Sequence, residues 1–184
     1  MNLLITNLIK EGIKPVSTTE DEIKFDAGYE SYEFYNAILN SAKERLYIYG
    51  RKNRKLFTKN NTKIKKLIDN NIDFKCLFLS NKSSESILNM AQDNDNFKND
   101  LEKIILKVKE KFNDNLECFR KYDFQQTKRI IIADDLIIYV PVTFENGSVK
   151  HFTKKEFSII KSNSKLGMSL LAEFKKVWDI SKSI

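Results

Sequence analysis

The sequence predicts an α/β protein in which one mixed β-sheet is flanked by helices. Three observations lead there. Strand-like and helix-like segments alternate over the first part of the chain, the pattern of parallel strands joined by crossover helices. Several strand-like segments then follow one another between residues 116 and 160, which calls for hairpins and antiparallel neighbours. An amphipathic helix closes the chain. At 184 residues, 41% hydrophobic and 31% charged, the chain suits one soluble globular domain over 1–184, with residues 1–27 set apart as an N-terminal helical appendage.

The elements follow in order. MNLLITNLIKEG (1–12) reads as a short helix and not as a signal peptide, because neither a basic n-region nor a small-residue cleavage site accompanies it. Lys14-Pro15 makes a loop, and EIKF (22–25) is a weak strand. From Gly28 to Glu44, Tyr32, Tyr35, Ile38, Leu39 and Ala42 recur at helical spacing. YESYEFY (29–35) is read as the core face of that helix, with a partner interface as the runner-up. RLYIYG (45–50) is rich in β-formers and stopped by glycine. Ile64, Leu67 and Ile68 mark a helix over 60–71. DFKCLFLS (73–80) is a nearly continuous apolar run, as in a strand buried on both faces.

SSESILNMAQ (83–92) reads as a polar helical connection with Ser83 as N-cap. Phe97, Leu101, Ile104, Ile105, Val108 and Phe112 then form one stripe on a helix over 95–113. LECFRK (116–121), TKRIIIAD (127–134) and LIIYVPVTF (136–144) read as strands, with Asp134-Asp135 turning between the last two. ENGS (145–148) is another turn, and HFTKKEFSII (151–160) holds one more strand. Leu166, Leu170, Leu171, Phe174, Val177 and Trp178 define the closing helix, about 164–181.

The net charge is +7, unevenly spread. Residues 1–35 carry −4, residues 43–82 carry twelve Lys/Arg against three acids, residues 83–123 carry −2 and the remainder +4. The basic block fits either a phosphate-rich partner or a solvated lysine-rich face. No apolar run is long enough to span a membrane as a helix. Cys76 and Cys118 lie in separate apolar segments and are expected to be reduced thiols of a cytoplasmic protein, a disulfide being the less favoured reading. His151, the one histidine, stands among Lys150, Lys154 and Lys155, and nothing in the sequence calls for a metal or cofactor.

Four segments in order carry a family resemblance: NAILNSAKERLYIYG (36–50), IKKLIDNNIDFKCLFLS (64–80), TKRIIIADDLIIYV (127–140) and LAEFKKVWD (171–179). Together they resemble the phospholipase D-like family in a single-unit version. In that family a late strand carries H-x-K-x-x-x-x-D, with histidine as nucleophile, lysine on the phosphate and aspartate orienting the histidine. The spacing here sets Thr127, Arg129 and Asp134 at those positions. The neighbouring frame, Gln126-x-Lys128, puts Ala133 where the acid belongs. Neither frame has a histidine, and VPVTFENG follows where the family has G-S-x-N.

Threonine is a poor replacement, since its hydroxyl stays protonated and no base adjoins it. The resemblance therefore implies the fold without the reaction, and a homodimer, since single-unit members often pair. Arginine at the lysine position still offers a bidentate fork for phosphate. Arg51, Lys52, Arg54 and Lys55 follow the first long strand, and Ser80 and Asn81 follow the second, where ligands of open α/β sheets settle. Arg51, Lys52, Ser80, Asn81, Thr127, Arg129 and Asp134 are thus the candidate phosphate-binding residues, with Tyr47, Tyr49 and Phe57 as aromatic neighbours able to stack on bases.

The favoured function is an inactive phospholipase D-like module that binds nucleic acid or a nucleotide. The alternatives are a phosphodiesterase or nuclease with a rewired site, and a structural interaction domain. The Lys/Asn bias suggests a bacterial regulatory, defence or mobile-element setting.

Overall fold

The computed structural model describes residues 2–80, 94–124, 128–141, 144–145, 148–149 and 156–184. The SSESILNMAQ connection with its Ser83 cap, and Asn81, Gln126, Thr127 and His151, lie outside the described residues. The helices are α1 (Leu3–Lys10), α2 (Tyr32–Leu39), α3 (Arg54–Lys59), α4 (Asn61–Asp69), α5 (Asn94–Lys111) and α6 (Lys165–Ile180). The strands are β1 (Ser17–Thr18), β2 (Glu22–Phe25), β3 (Arg45–Tyr49), β4 (Asp73–Leu79), β5 (Phe119–Tyr122), β6 (Lys128–Ala133), β7 (Leu136–Pro141), β8 (Phe144–Glu145), β9 (Ser148–Val149), β10 (Phe157–Lys161) and β11 (Lys182–Ser183). No helix among the described residues is long and apolar enough to cross a membrane.

Nine strands form one mixed sheet in the order β1-β2-β10-β7-β6-β3-β4-β5-β11, while β8 and β9 pair as a separate ribbon. β3, β4 and β5 are parallel, so their carboxyl ends finish on one edge. β6 runs antiparallel beside β3, and the β6–β7 hairpin passes to β10 and β2. The mixed sheet expected from the sequence is present, in two halves: parallel where helices connect strands, antiparallel where turns do.

Aromatic side chains hold helices to the sheet. Phe57 of α3 lies 5.4 Å from Phe78, and Phe112, just past α5, lies 5.1 Å from Phe119. Phe34 of α2 meets Phe157 edge-on at 5.1 Å, and Phe157 stacks on Phe25 at 4.6 Å. On the opposite face, Phe174 of α6 stacks on Tyr47 at 5.0 Å and lies 6.2 Å from Trp178. Each such ring removed from water contributes roughly 1.5–3 kcal/mol before its entropy cost. Residues expected to form an N-terminal appendage are built into this core: Leu4 and Leu8 are buried and β2 pairs with β10.

Several boundaries differ from those the sequence suggests. The helix expected from Gly28 begins only at Tyr32, because Gly28 and Glu30 take left-handed backbone (φ 93° and 60°) and the Ser31 hydroxyl caps the Phe34 amide. Tyr29 and Glu30 therefore precede the helix, and Tyr32 is exposed. The helix expected over 60–71 is shorter and is preceded by another, α3, with buried Asn60 at the break. LECFRK is half turn: Asn113–Cys118 is a 3-10 segment and the strand starts at Phe119. The chain must double back there for the Phe112 and Phe119 rings to meet.

Asp134 fixes the β6–β7 hairpin to β3. It occupies the turn with φ 53°, a conformation aspartate tolerates better than most residues. Its carboxylate accepts hydrogen bonds from the backbone amides of Lys43, Glu44 and Arg45 at 2.9–3.2 Å. Its carbonyl accepts one from Arg45 Nε at 2.8 Å. At the start of α6, Ser164 caps the Gly167 amide, and a Cβ on Gly167 would lie 2.0 Å from the Lys161 carbonyl oxygen.

Two stability predictions follow from these contacts, both read by urea unfolding. Asp134→Asn keeps the turn and one acceptor and is expected to cost about 1 kcal/mol, whereas Asp134→Ala also loses the acceptors and strains the turn, costing about 3 kcal/mol. Equal losses for the two variants would contradict that account. Gly167→Ala is expected to cost about 2 kcal/mol through displacement of α6 from β10, and an unchanged midpoint would refute the tight approach.

Candidate functional site

The parallel strands deliver several polar groups to one edge. β3 ends in Tyr49-Gly50-Arg51, β4 in Leu79-Ser80 and β5 at Tyr122. The ladder pairs Tyr49 with Ile130 and Leu79 with Tyr122, which brings the start of antiparallel β6, with Arg129, to the same edge. The Leu79 amide donates to the Arg51 carbonyl at 3.0 Å, and the Ser80 amide donates to the Tyr122 carbonyl at 2.6 Å. The Tyr122 hydroxyl donates to the Gly50 carbonyl at 3.1 Å, locking the ends of β3 and β5 together.

Gly50 is required by its neighbour. Asn53, in left-handed backbone (φ 50°), folds its amide back to donate to the Leu77 carbonyl at 3.0 Å. A Cβ at position 50 would lie 2.0 Å from Asn53 Oδ1. The glycine and asparagine together turn the chain sharply after Arg51 and start α3.

Arg129 Nη1 donates to Glu30 Oε1 and to the Tyr29 hydroxyl at 3.5 Å, with its guanidinium carbon 5.8 Å from the Tyr29 ring centre. The second oxygen of Glu30 lies 4.0 Å from Lys55 Nζ. The Arg129 side chain is 23% exposed and that of Glu30 is 27% exposed. Burial works against the Arg129 charge, but Tyr29 and Glu30 more than offset it and hold the guanidinium firmly protonated. Burial also raises Tyr29, so it is a neutral hydroxyl at pH 7 and Glu30 is the counter-charge. Arg51 is shifted the other way: burial and the like charge of Arg129 make its guanidinium less basic than usual. The two arginines therefore sense each other at the strand-end edge.

The other predicted residues are placed as follows. Lys52 reaches Asp100 at 3.3 Å and lies 4.5 Å from the centre of the Phe97 ring, and Arg54 reaches the same carboxylate at 3.1 Å. Lys52 thus stands near the arginines but is tied to α5. Ser80 is at the edge, and Asn81 and Thr127 lie outside the described residues. Lys128, the lysine of the neighbouring frame, pairs with Glu173 of α6 at 2.7 Å. Asp134 is not brought together with Arg129, contrary to the expectation that both line one site. They stand five positions apart along the strand, about 17 Å, and the aspartate caps backbone amides at the opposite end.

Tyr29, Glu30, Asn53, Asp100 and Tyr122 belong to the site's surroundings without having been among the candidate binding residues, Tyr29 and Glu30 having been read only as part of the YESYEFY helix face. Tyr122 and Tyr49 are pushed up in pKa by burial, as is Cys76. Cys118 is likewise raised by burial, to about 11, and both cysteines are free thiols. None of these groups is ionised near neutral pH. Among the described residues, no three His, Cys, Asp or Glu side chains are grouped to hold a metal ion.

The surrounding surface is basic. From Arg45 to Ile68 the chain has nine Lys/Arg and no Asp or Glu. Lys55, Lys59, Lys65 and Lys66 on α3 and α4 are exposed. The carboxylates paired with this segment's Lys and Arg side chains among the described residues, Glu30 and Asp100, come from elsewhere in the chain.

No protein-family model matches the sequence, and no curated protein matches it. Solved structures do resemble the fold. TrmBL2, an archaeal chromatin protein with a novel mode of DNA binding, aligns with a TM-score of 0.58 at 12% identity, over 90% of this chain and 55% of that one. Phosphatidylserine synthase of Haemophilus influenzae Rd KW20 aligns with a TM-score of 0.59 at 13% identity, over 92% of this chain and 41% of that one. Nuc of Salmonella typhimurium, a phospholipase D family member, aligns over 82% and 88% of the two chains with a TM-score of 0.46 at 12% identity. The chain thus spans about half the length of the first two. Likeness at such identity speaks for architecture alone, and the architecture is a large mixed sheet flanked by helices, the phospholipase D-like fold.

Proposed function

We propose that this protein is a phospholipase D-like domain that binds a phosphate-bearing ligand, with nucleic acid in first place, and does not cut it. The observation that carries the reading is the convergence of Arg51 and Arg129 at the carboxyl edge of β3, β4 and β5. Arg51 is largely desolvated and feels the like charge of Arg129, whose own carboxylate partner is Glu30, and such crowding of cations favours a further anion. A phosphate accepts both forks at once, which a lysine pair does less well. The acid-free basic stretch on α3 and α4 adjoins this edge and gives a phosphate backbone further cations to follow. The DNA-binding chromatin protein of similar fold makes nucleic acid the favoured ligand class.

The absence of cutting rests on chemistry. Thr127, at the position of the family's histidine, has a hydroxyl that stays protonated, and burial raises both the Tyr122 hydroxyl near the arginines and the Cys76 thiol of the core. This reading includes pairing of two copies, as single-unit relatives of the family suggest, in a bacterial regulatory or defence setting.

The test is fluorescence anisotropy with labelled single- and double-stranded DNA and RNA over a salt series, the recovered nucleic acid then being run on a denaturing gel. Arg129→Ala and Arg51→Ala are each expected to weaken binding by about tenfold or more and to lower the log–log salt slope by about one. Arg129→Lys should recover part of the affinity, since it keeps the charge and loses the fork. Cleaved product, or affinity indifferent to both arginines, would overturn the proposal.

A further inference from the structure

The Arg129 guanidinium is already occupied. Its partner Glu30 comes from neither the sheet nor a helix but from the short loop between Gly28 and the Ser31 cap of α2. Glu30 sits in left-handed backbone, φ 60°, a conformation that side-chain-bearing residues rarely adopt. The ion pair repays that conformation: one carboxylate oxygen takes Arg129 Nη1, and the other stands 4.0 Å from Lys55 Nζ. Two oxygens on one centre, shared between two cations, are what a phosphate would present in the same place. The arrangement is reachable from solvent, since Arg129 and Glu30 are each about a quarter exposed and Lys55 is 53% exposed.

We propose that Glu30 is a specificity-determining residue of this site: a tethered anion that holds Arg129 when no ligand is present and that an incoming phosphate must displace. The inference rests on the phosphate-binding reading above. A single weak anion gains too little from Arg129 to expel a carboxylate already bonded to it. A ligand that brings several phosphates, or one that also engages Arg51, overcomes the competition. The carboxylate then swings to solvent, and Lys55 is released toward the ligand. The site in this way stays quiet toward small anions and opens to a polyanion. Glu30 thus raises the threshold for binding without touching the bound ligand.

Isothermal titration with inorganic phosphate and anisotropy with a short labelled oligothymidylate test this on the full chain. Glu30→Gln removes the charge and is expected to tighten binding of both probes by about tenfold, with the larger relative gain for inorganic phosphate. Glu30→Gly also removes the carboxylate, suits the left-handed backbone and should behave the same, which guards against a folding defect in the first variant. In the Arg129→Ala background Glu30→Gln should give a much smaller gain than in the wild type, because the main target of the competitor is gone and only Lys55 remains to be freed. If the wild type binds, Arg129→Ala weakens it, and neither Glu30 variant tightens it, the tethered-anion role is wrong and the phosphate site stands. If neither the wild type nor the Glu30 variants bind either probe, both readings fall.

Discussion

β6 lies antiparallel to β3 with Leu46 opposite Ala133 and Tyr49 opposite Ile130, and at its far end Asp134 gathers the amides of Lys43, Glu44 and Arg45. This register governs the rest of the structure. Side chains alternate along a strand, so a slip of one residue would turn Ile130 and Ile132 away from the α6 face. It would also move Arg129 out of reach of Glu30. The Asp134 bonds resist that slip from one edge, while Arg129 reports it at the other. The residues spaced like a catalytic motif are thus split between opposite ends of one strand, Asp134 capping backbone amides and Arg129 paired with Glu30.

The electrostatic arrangement follows from this geometry. The parallel strands end together, so any charge that follows them is crowded with its neighbours. Arg51 and Arg129 illustrate the consequence: the first loses basicity to burial and its neighbour, and the second keeps its proton through Glu30. Asp100 performs a related service for Lys52 and Arg54, and at 34% side-chain exposure that network contributes modestly to stability. The edge remains basic after these pairings, because each carboxylate answers more than one cation.

Much of this architecture was legible in the residues, for identifiable reasons. The CLFL run of β4 and the IIIA run of β6 are apolar without alternation, which only a strand covered on both faces sustains, and both are central strands. The Phe174 and Trp178 spacing marked the closing helix correctly because its stripe is continuous. Other features left little trace. Glu30 reads in the sequence as one more residue of the YESYEFY helix, since its importance lies in a left-handed φ and a partner 99 residues away. Nothing near Asp100 signals that it answers Lys52 and Arg54. Asp134 shares a motif's spacing with Arg129, yet the rise of an extended strand separates them, so spacing alone suggested a proximity that the geometry forbids.

The central claim is that a phosphate bridges Arg51 and Arg129 and leaves uncut. The most direct measurement is a crystal structure of the protein with a single-stranded oligonucleotide. The account predicts an intact phosphodiester within hydrogen-bond distance of both guanidiniums, with the Glu30 carboxylate turned away from Arg129 and the flanking nucleotides running toward Lys59 and Lys65. An oligonucleotide seated away from the strand-end edge, or a phosphoryl group joined covalently to any side chain, would contradict it.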